Sequence, residues 1–211
     1  MLSLTEIAPA QLTAIDSDAL GAFAHDVRTP LNAVSMVVDV AKRMGTNGEI
    51  ALDEELASML LSSISDIERL IADIHEVSRI ERGKQRLMPG PARLDEAVSA
   101  AMMMVGADIS VSIDGMIEGE GPWDADRLAR VVADFCRCVN RCGDGSGQVR
   151  VSGIGPGRIA VECGAPGGRE KAVASDVGWG FFRSKAIIQA MGGRLECDRA
   201  EQFMSICLVL G

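Results

Sequence analysis

No stretch of the 211-residue chain approaches the roughly 18 consecutive apolar residues that a membrane-spanning helix needs, so no such helix is expected. An excess of positive charge is also missing: 21 Lys and Arg face 30 Asp and Glu, for a net charge of -9. Nucleic acids and anionic membranes both demand a cationic face, so neither is expected as a partner. The first residues, MLSLTEIAPAQLTAIDSD, lack the basic and then apolar regions of a signal peptide. The expected setting is therefore cytoplasmic, where cysteines stay reduced. Cys136, Cys138, Cys142, Cys163, Cys197 and Cys207 all lie in the second half and form no paired framework. There is no internal repeat, no low-complexity tract, and no Ser-His-Asp order that would suggest a hydrolase. With 47% hydrophobic and 24% charged residues, the composition is that of a globular chain.

The apolar pattern of the first half is helical. Leu20, Phe23, Val27, Leu31, Val34, Val38 and Ala41 fall in one stripe at about 100° per residue. Gly45-Thr46-Asn47-Gly48 interrupts it as a turn would. Leu56, Leu60, Ile64, Ile67, Ile71 and Ile74 form a second stripe that stops near Gly83. The two helices predict an antiparallel hairpin with too little core to stand alone. Pairing two hairpins into a four-helix bundle buries both stripes, so a homodimer is expected.

Composition changes at Met88-Pro89-Gly90-Pro91, read as a linker. Beyond it, helices are expected over 94–105, 125–139 and 183–191, and strands over 109–113, 149–152, 158–163, 195–197 and 204–208. The fold class is α+β: an N-terminal segment (1–15), a helical hairpin (16–88) and an α/β sandwich (89–211).

His25-Asp26-Val27-Arg28-Thr29-Pro30-Leu31-Asn32 carries the chemistry. On the helical wheel His25 lies nearly opposite the apolar stripe, and Thr29 and Asn32 share its outward face. A neutral imidazole is a good nucleophile near pH 7, and Asp26 can hold or deprotonate the ring. Pro30 removes a backbone donor and should bend the helix. The second histidine, His75, has no such neighbours and reads as a surface residue.

This segment resembles the phosphoacceptor box of sensor histidine kinases, where the histidine precedes an acidic residue and then Arg-Thr-Pro-Leu. Ser78-Arg79-Ile80-Glu81-Arg82-Gly83-Lys84 resembles the end of that family's second hairpin helix. The resemblance covers residues 16–88, the dimerisation and phosphotransfer domain. It implies that His25 carries phosphate, that Asp26 acts as acid/base, and that Thr29 helps position water when a partner is dephosphorylated. Arg28 would flank the reactive ring, and Pro30 and Asn32 would lie on the docking surface.

The second domain resembles the family's ATP-binding domain unevenly. Trp123-Asp124-Ala125-Asp126-Arg127-Leu128 matches the start of the helix that carries the magnesium-binding asparagines. Those asparagines fall on Asp134 and Cys138, and the basic phosphate-binding position on Arg141. A thiol cannot replace an amide oxygen for Mg²⁺. The aspartate that reads adenine falls on Cys163, a weak acceptor, with Glu162 on the other strand face. Only nine residues, 169–177, stand where the family has a longer lid. Gly178-Trp179-Gly180-Phe181-Phe182-Arg183-Ser184-Lys185 resembles the last glycine box with bulky Trp179, Phe181 and Phe182; its Gly-x-Gly reads as an inherited tight turn. Ala190-Met191-Gly192-Gly193-Arg194-Leu195-Glu196 fits the scaffold.

Cys136, Cys138 and Cys142 lack a completing histidine for zinc and read as buried thiols. Met102-Met103-Met104 reads as core packing on a helix, and Asp144-Gly145-Ser146-Gly147 as a turn. The expectation is a degenerate-kinase histidine phosphotransferase. It would shuttle phosphate between receiver-domain aspartates through His25, fed through a hybrid histidine kinase, with no ATP and no metal or cofactor of its own. Mg²⁺ would come with the receiver. The alternatives are an atypical sensor kinase or phosphatase, and a non-catalytic dimeric scaffold for response regulators.

Overall fold

A computed structural model describes residues 17–45, 50–84, 87–142, 147–164, 174–200 and 203–211. The N-terminal segment, the turn over 46–48, the turn over 144–146 and most of the short lid lie outside the described residues. Helices α1 (Ser17–Met44) and α2 (Glu54–Glu81) form the hairpin. Asp53 caps α2 by accepting the Leu56 N–H at 2.9 Å, and Glu54 and Glu55 in the first turn favour the positive end of the helix. Gly83, at φ 62°, closes α2: its N–H reaches the Ile80 carbonyl at 2.9 Å, and that of Lys84 reaches Arg79 at 2.8 Å. This double bond to the last turn requires a left-handed residue, and glycine adopts that conformation without strain. Helix α1 continues through Pro30 without ending.

The hairpin face buried within the chain is offset from the expected stripes. Ala19, Ala22, Val37 and Ala41 of α1 and Leu70 and Val77 of α2 are buried within the chain. Leu20, Leu31, Ile64 and Ile71, expected in the buried stripe, are 41–50% exposed. A helix that packs on two neighbours needs a stripe wider than one contact line, and one chain covers only part of it.

Strand β1 (Gly90–Arg93) starts inside the expected linker, so Gly90 and Pro91 belong to the second unit. It pairs antiparallel with β3 (Glu120–Trp123), setting Pro91 opposite Pro122. Helix α3 (Leu94–Met102) follows β1 directly, and β2 (Ser110–Asp114) precedes β3. Because α3 stops at Met102, Met103 is 88% exposed and Met104 is also exposed; they are not the core residues expected. Then come α4 (Ala125–Cys142), β4 (Gln148–Gly155), β5 (Arg158–Gly164), α5 (Ala174–Ala190), β6 (Arg194–Ala200) and β7 (Phe203–Val209). The five-stranded sheet runs β2-β4-β5-β7-β6, antiparallel except for β2 beside β4.

Strand alternation aims Val149, Val151, Ile159, Val161, Met204, Ile206 and Leu208 at the helices, which bury them. Helix α4 packs on β4, β5 and β7, and α5 packs on α4, β6 and both hairpin helices. Asp124 sets the start of α4 by accepting from the Arg127 N–H at 3.2 Å, and also takes the Met88 N–H at 3.0 Å. Burial pushes the Asp124 carboxyl up, but these N–H groups and the Arg127 guanidinium outweigh it and hold the group below the usual carboxylate value. No helix among the described residues is long and apolar enough to cross a membrane.

Candidate phosphoacceptor site

Helix α1 presents His25, Arg28, Thr29 and Asn32 to solvent, and the His25 side chain is 65% exposed. Pro30, expected on the docking surface, is buried: four residues on from Asp26, it turns with that residue toward the cleft beside α5. Asp26 is only 17% exposed and is held from three sides. Its Oδ1 faces His25 Nδ1 at 3.4 Å and Arg141 Nη1 at 3.6 Å. Its Oδ2 accepts the backbone N–H of Trp179 at 2.8 Å.

The glycine box explains the last bond. Gly178 has φ 72° and ψ 169°, which breaks α5 so that Trp179 begins a fresh helical run. The first amides of a helix have no partner within it and carry the positive end of its dipole. Such an end is suited to phosphate, but here it holds the carboxylate of Asp26. Trp179 is fully buried, with its ring edge-on to Phe23 at 5.4 Å between centroids, and this fixes the helix end against α1. A side chain at Gly178 would collide with the Arg141 guanidinium, so glycine is what lets Arg141 cross to Asp26.

A second set of charges locks the α/β unit to α2. Arg183 of α5 lies between Asp73 of α2, at 2.6 Å, and Asp134 of α4, at 2.5 Å. The Ser184 hydroxyl also donates to Asp134, at 3.2 Å, and Arg127 reaches Glu76 at 2.9 Å. Burial raises the Asp73 carboxyl above its usual value even though Arg183 opposes the shift. Sequence patterning did not single out Arg183, Asp73 or Asp134 as a triad. The available signal was an arginine between Phe182 and Ile187 on a helix otherwise destined for the core.

A cleft of about 420 Å³ lies between the hairpin and the α/β unit, lined by Thr29, Asp66, Arg69, Arg137, Asn140 and Phe181 among others. The positions matching the family's nucleotide ligands are Asp134, Cys138 and Cys163. The Asp134 carboxylate is already engaged by Arg183, Arg137 and Ser184. Cys138 and Cys163 are buried. A hydrogen bond with Cys142, together with burial, pushes the Cys138 thiol well up; burial takes Cys136 to about 12. Buried thiols and a carboxylate already paired with Arg183 do not offer the oxygen set that Mg²⁺ takes, so the residues at these positions do not fit a magnesium nucleotide. All six cysteines are free, and no metal-binding cluster is present among the described residues.

A solvated histidine backed by a carboxylate, on a two-helix hairpin against an α/β layer, defines a histidine phosphoacceptor module. Residues 16–83 match the His Kinase A (phospho-acceptor) domain. The chain is 26% identical over 214 residues to the bacteriophytochrome of Pseudomonas aeruginosa, an alignment covering 88% of this chain and 28% of that protein. It is 30% identical over 155 residues to histidine protein kinase DivJ of Caulobacter vibrioides, covering 67% of this chain and 26% of that one. The solved structure of the histidine kinase AdeS of Acinetobacter baumannii shares the fold: TM-score 0.65, 16% identity, 89% of this chain and 97% of that one. Residues 16–83 thus form a phospho-acceptor domain of the His Kinase A type, and the chain, which is similar to sensor histidine kinases, is a histidine-kinase-like phosphotransfer and dimerisation module. It spans little more than a quarter of the length of these two relatives.

Proposed function

We propose that this chain is a histidine phosphotransferase, accepting phosphate at His25 from a receiver-domain aspartate and passing it to another, without using ATP. The observation that carries this is the contrast between two sites. The phosphoacceptor box is whole and its histidine is solvated, while the nucleotide-ligand positions hold buried thiols and a carboxylate already paired with Arg183.

In this reading Asp26 accepts the Nδ1–H of His25, leaving the Nε2 lone pair free. Nε2 attacks the phosphorus of the aspartyl phosphate. The N–P bond forms as the P–O bond breaks, and the receiver carboxylate leaves with the bonding electrons. The imidazolium produced keeps its Nδ1 proton against Asp26. Transfer onward reverses each step on a second receiver. Mg²⁺ belongs to the receiver, where it neutralises the phosphoryl oxygens. Arg28, Thr29 and Asn32, exposed around His25, supply the docking surface, and a hybrid histidine kinase is the source of phosphate.

A second reading, an atypical kinase, is favoured by the cleft of about 420 Å³ beside α1 and by the sensor kinases among the relatives. Two incubations separate them. With radiolabelled Mg-ATP, the chain is expected to take up no acid-labile label. With a receiver domain labelled by acetyl phosphate, label is expected to move onto it. Label from ATP would overturn the phosphotransferase reading in favour of a kinase.

The exposed stripe of Leu20, Leu31, Ile64 and Ile71 supports a homodimer built as a four-helix bundle. Leu31→Glu would place a charge in that interface, and sedimentation is expected to show the dimer dissociating at least tenfold more readily, on the order of 1.4 kcal/mol or more per such change. A native chain that sediments as a monomer at tens of micromolar, estimated from ordinary dimer affinities, would end the dimer proposal.

A further inference from the structure

A phosphoacceptor histidine needs its neighbouring carboxylate at one ring nitrogen so that the other is free. Asp26 sits on α1, yet two of its three polar contacts come from the other unit: Arg141 at the last turn of α4 and the Trp179 N–H opening the second run of α5. We propose that Arg141 and the helix end at Trp179 are positioning residues that hold Asp26 against Nδ1 of His25, so that the ring presents Nε2 to the incoming phosphoryl group. The α/β unit thus contributes to transfer by orienting the acceptor's carboxylate.

Three features of the site converge on this assignment. Gly178 leaves room for the Arg141 guanidinium, which a Cβ would displace. Burial of Trp179 against Phe23 fixes the donating amide in place. The two donors also divide the carboxylate: Trp179 takes Oδ2, while Arg141 and His25 share Oδ1, which leaves the carboxylate little freedom to rotate. A cation sharing Oδ1 with the ring keeps that oxygen on the His25 side.

The proposal rests on phosphotransfer at His25, and its test separates the two. The native chain, Arg141→Ala, Arg141→Lys, Asp26→Asn and the double variant Asp26→Asn/Arg141→Ala are compared. The Arg141 side chain is 50% exposed, so the two Arg141 substitutions leave the core untouched. Long-range proton–nitrogen correlation spectra of the imidazole report the tautomer directly. The native His25 is expected in the Nδ1–H form, with His75 as an internal reference in the Nε2–H form that a free imidazole favours. Arg141→Ala is expected to move His25 toward the reference, and Arg141→Lys to retain the native form.

Transfer from a receiver domain labelled with acetyl phosphate is expected to fall about tenfold at saturating receiver in Arg141→Ala, with an unchanged KM, because orientation is lost and docking is not. In the Asp26→Asn background the same change is expected to have no further effect. An unaltered tautomer and rate in Arg141→Ala, or a loss that adds to that of Asp26→Asn, overturns the positioning role. A native chain with the Nδ1–H form that accepts no phosphate from any receiver leaves the positioning geometry standing and refutes the transfer reading.

Discussion

His25→Gln is expected to abolish acceptance of phosphate from a labelled receiver, a loss of roughly three orders of magnitude or more and in practice to background. Glutamine keeps the size and polarity of the side chain but has no nucleophilic nitrogen. The side chain is 65% exposed, so the substitution is expected to change folding stability by no more than about 0.5 kcal/mol, and lost transfer cannot be ascribed to unfolding. His75 is the internal control. It is exposed on α2 and is followed by an acidic residue, as His25 is, but Glu76 is turned to Arg127 at 2.9 Å. His75→Gln is therefore expected to transfer at the native rate. Acid-labile label on His25→Gln would mean that another side chain carries the phosphate. Full biological activity of His25→Gln, with receiver binding intact, would favour a scaffold that works by sequestration.

Much of this architecture is legible in periodicity. The α1 and α2 stripes repeat at helical spacing over seven and six apolar positions, and Asp53 and Gly83 mark the ends of α2 by their capping chemistry. Strands β4, β5 and β7 show through alternation. What escaped notice has physical causes. Strands β1 and β3 contain Pro91 and Pro122, which forfeit ladder donors, so their segments read as linker and loop. The offset between the buried hairpin face and the expected stripes follows from packing against α5, which no local pattern reports. The family resemblance implied a phosphate-binding role for Arg141, whereas its reach to Asp26 depends on how α4 and α1 meet. Arg183 was hidden for the same reason: its two carboxylates come from helices 110 and 49 residues away.

Arg183→Met tests whether that triad holds the two units together. Methionine preserves length and apolar stem but leaves Asp73 and Asp134 facing each other in a buried site without their cation. Removing one partner of a buried ion pair typically costs about 3–5 kcal/mol, far more than the pair contributes over an apolar replacement. For a chain of this size that corresponds to a fall of roughly 10 °C in Tm.

The pH dependence identifies the cause. Burial holds the Asp73 carboxyl above its usual value of 3.8, so the native state binds this proton more tightly than the unfolded state does. The stability associated with that proton is fully present below 3.8 and is lost as pH rises through the raised folded value. Without Arg183 the carboxyl is raised further, so the deficit of Arg183→Met is expected to be small near pH 4 and to grow toward pH 7. Asp73→Asn in the Arg183→Met background should recover part of the loss, because an amide carries no charge to strand. A deficit that is independent of pH and unrelieved by Asp73→Asn would instead assign the role of Arg183 to packing, and the charged lock between hairpin and α/β unit would be refuted.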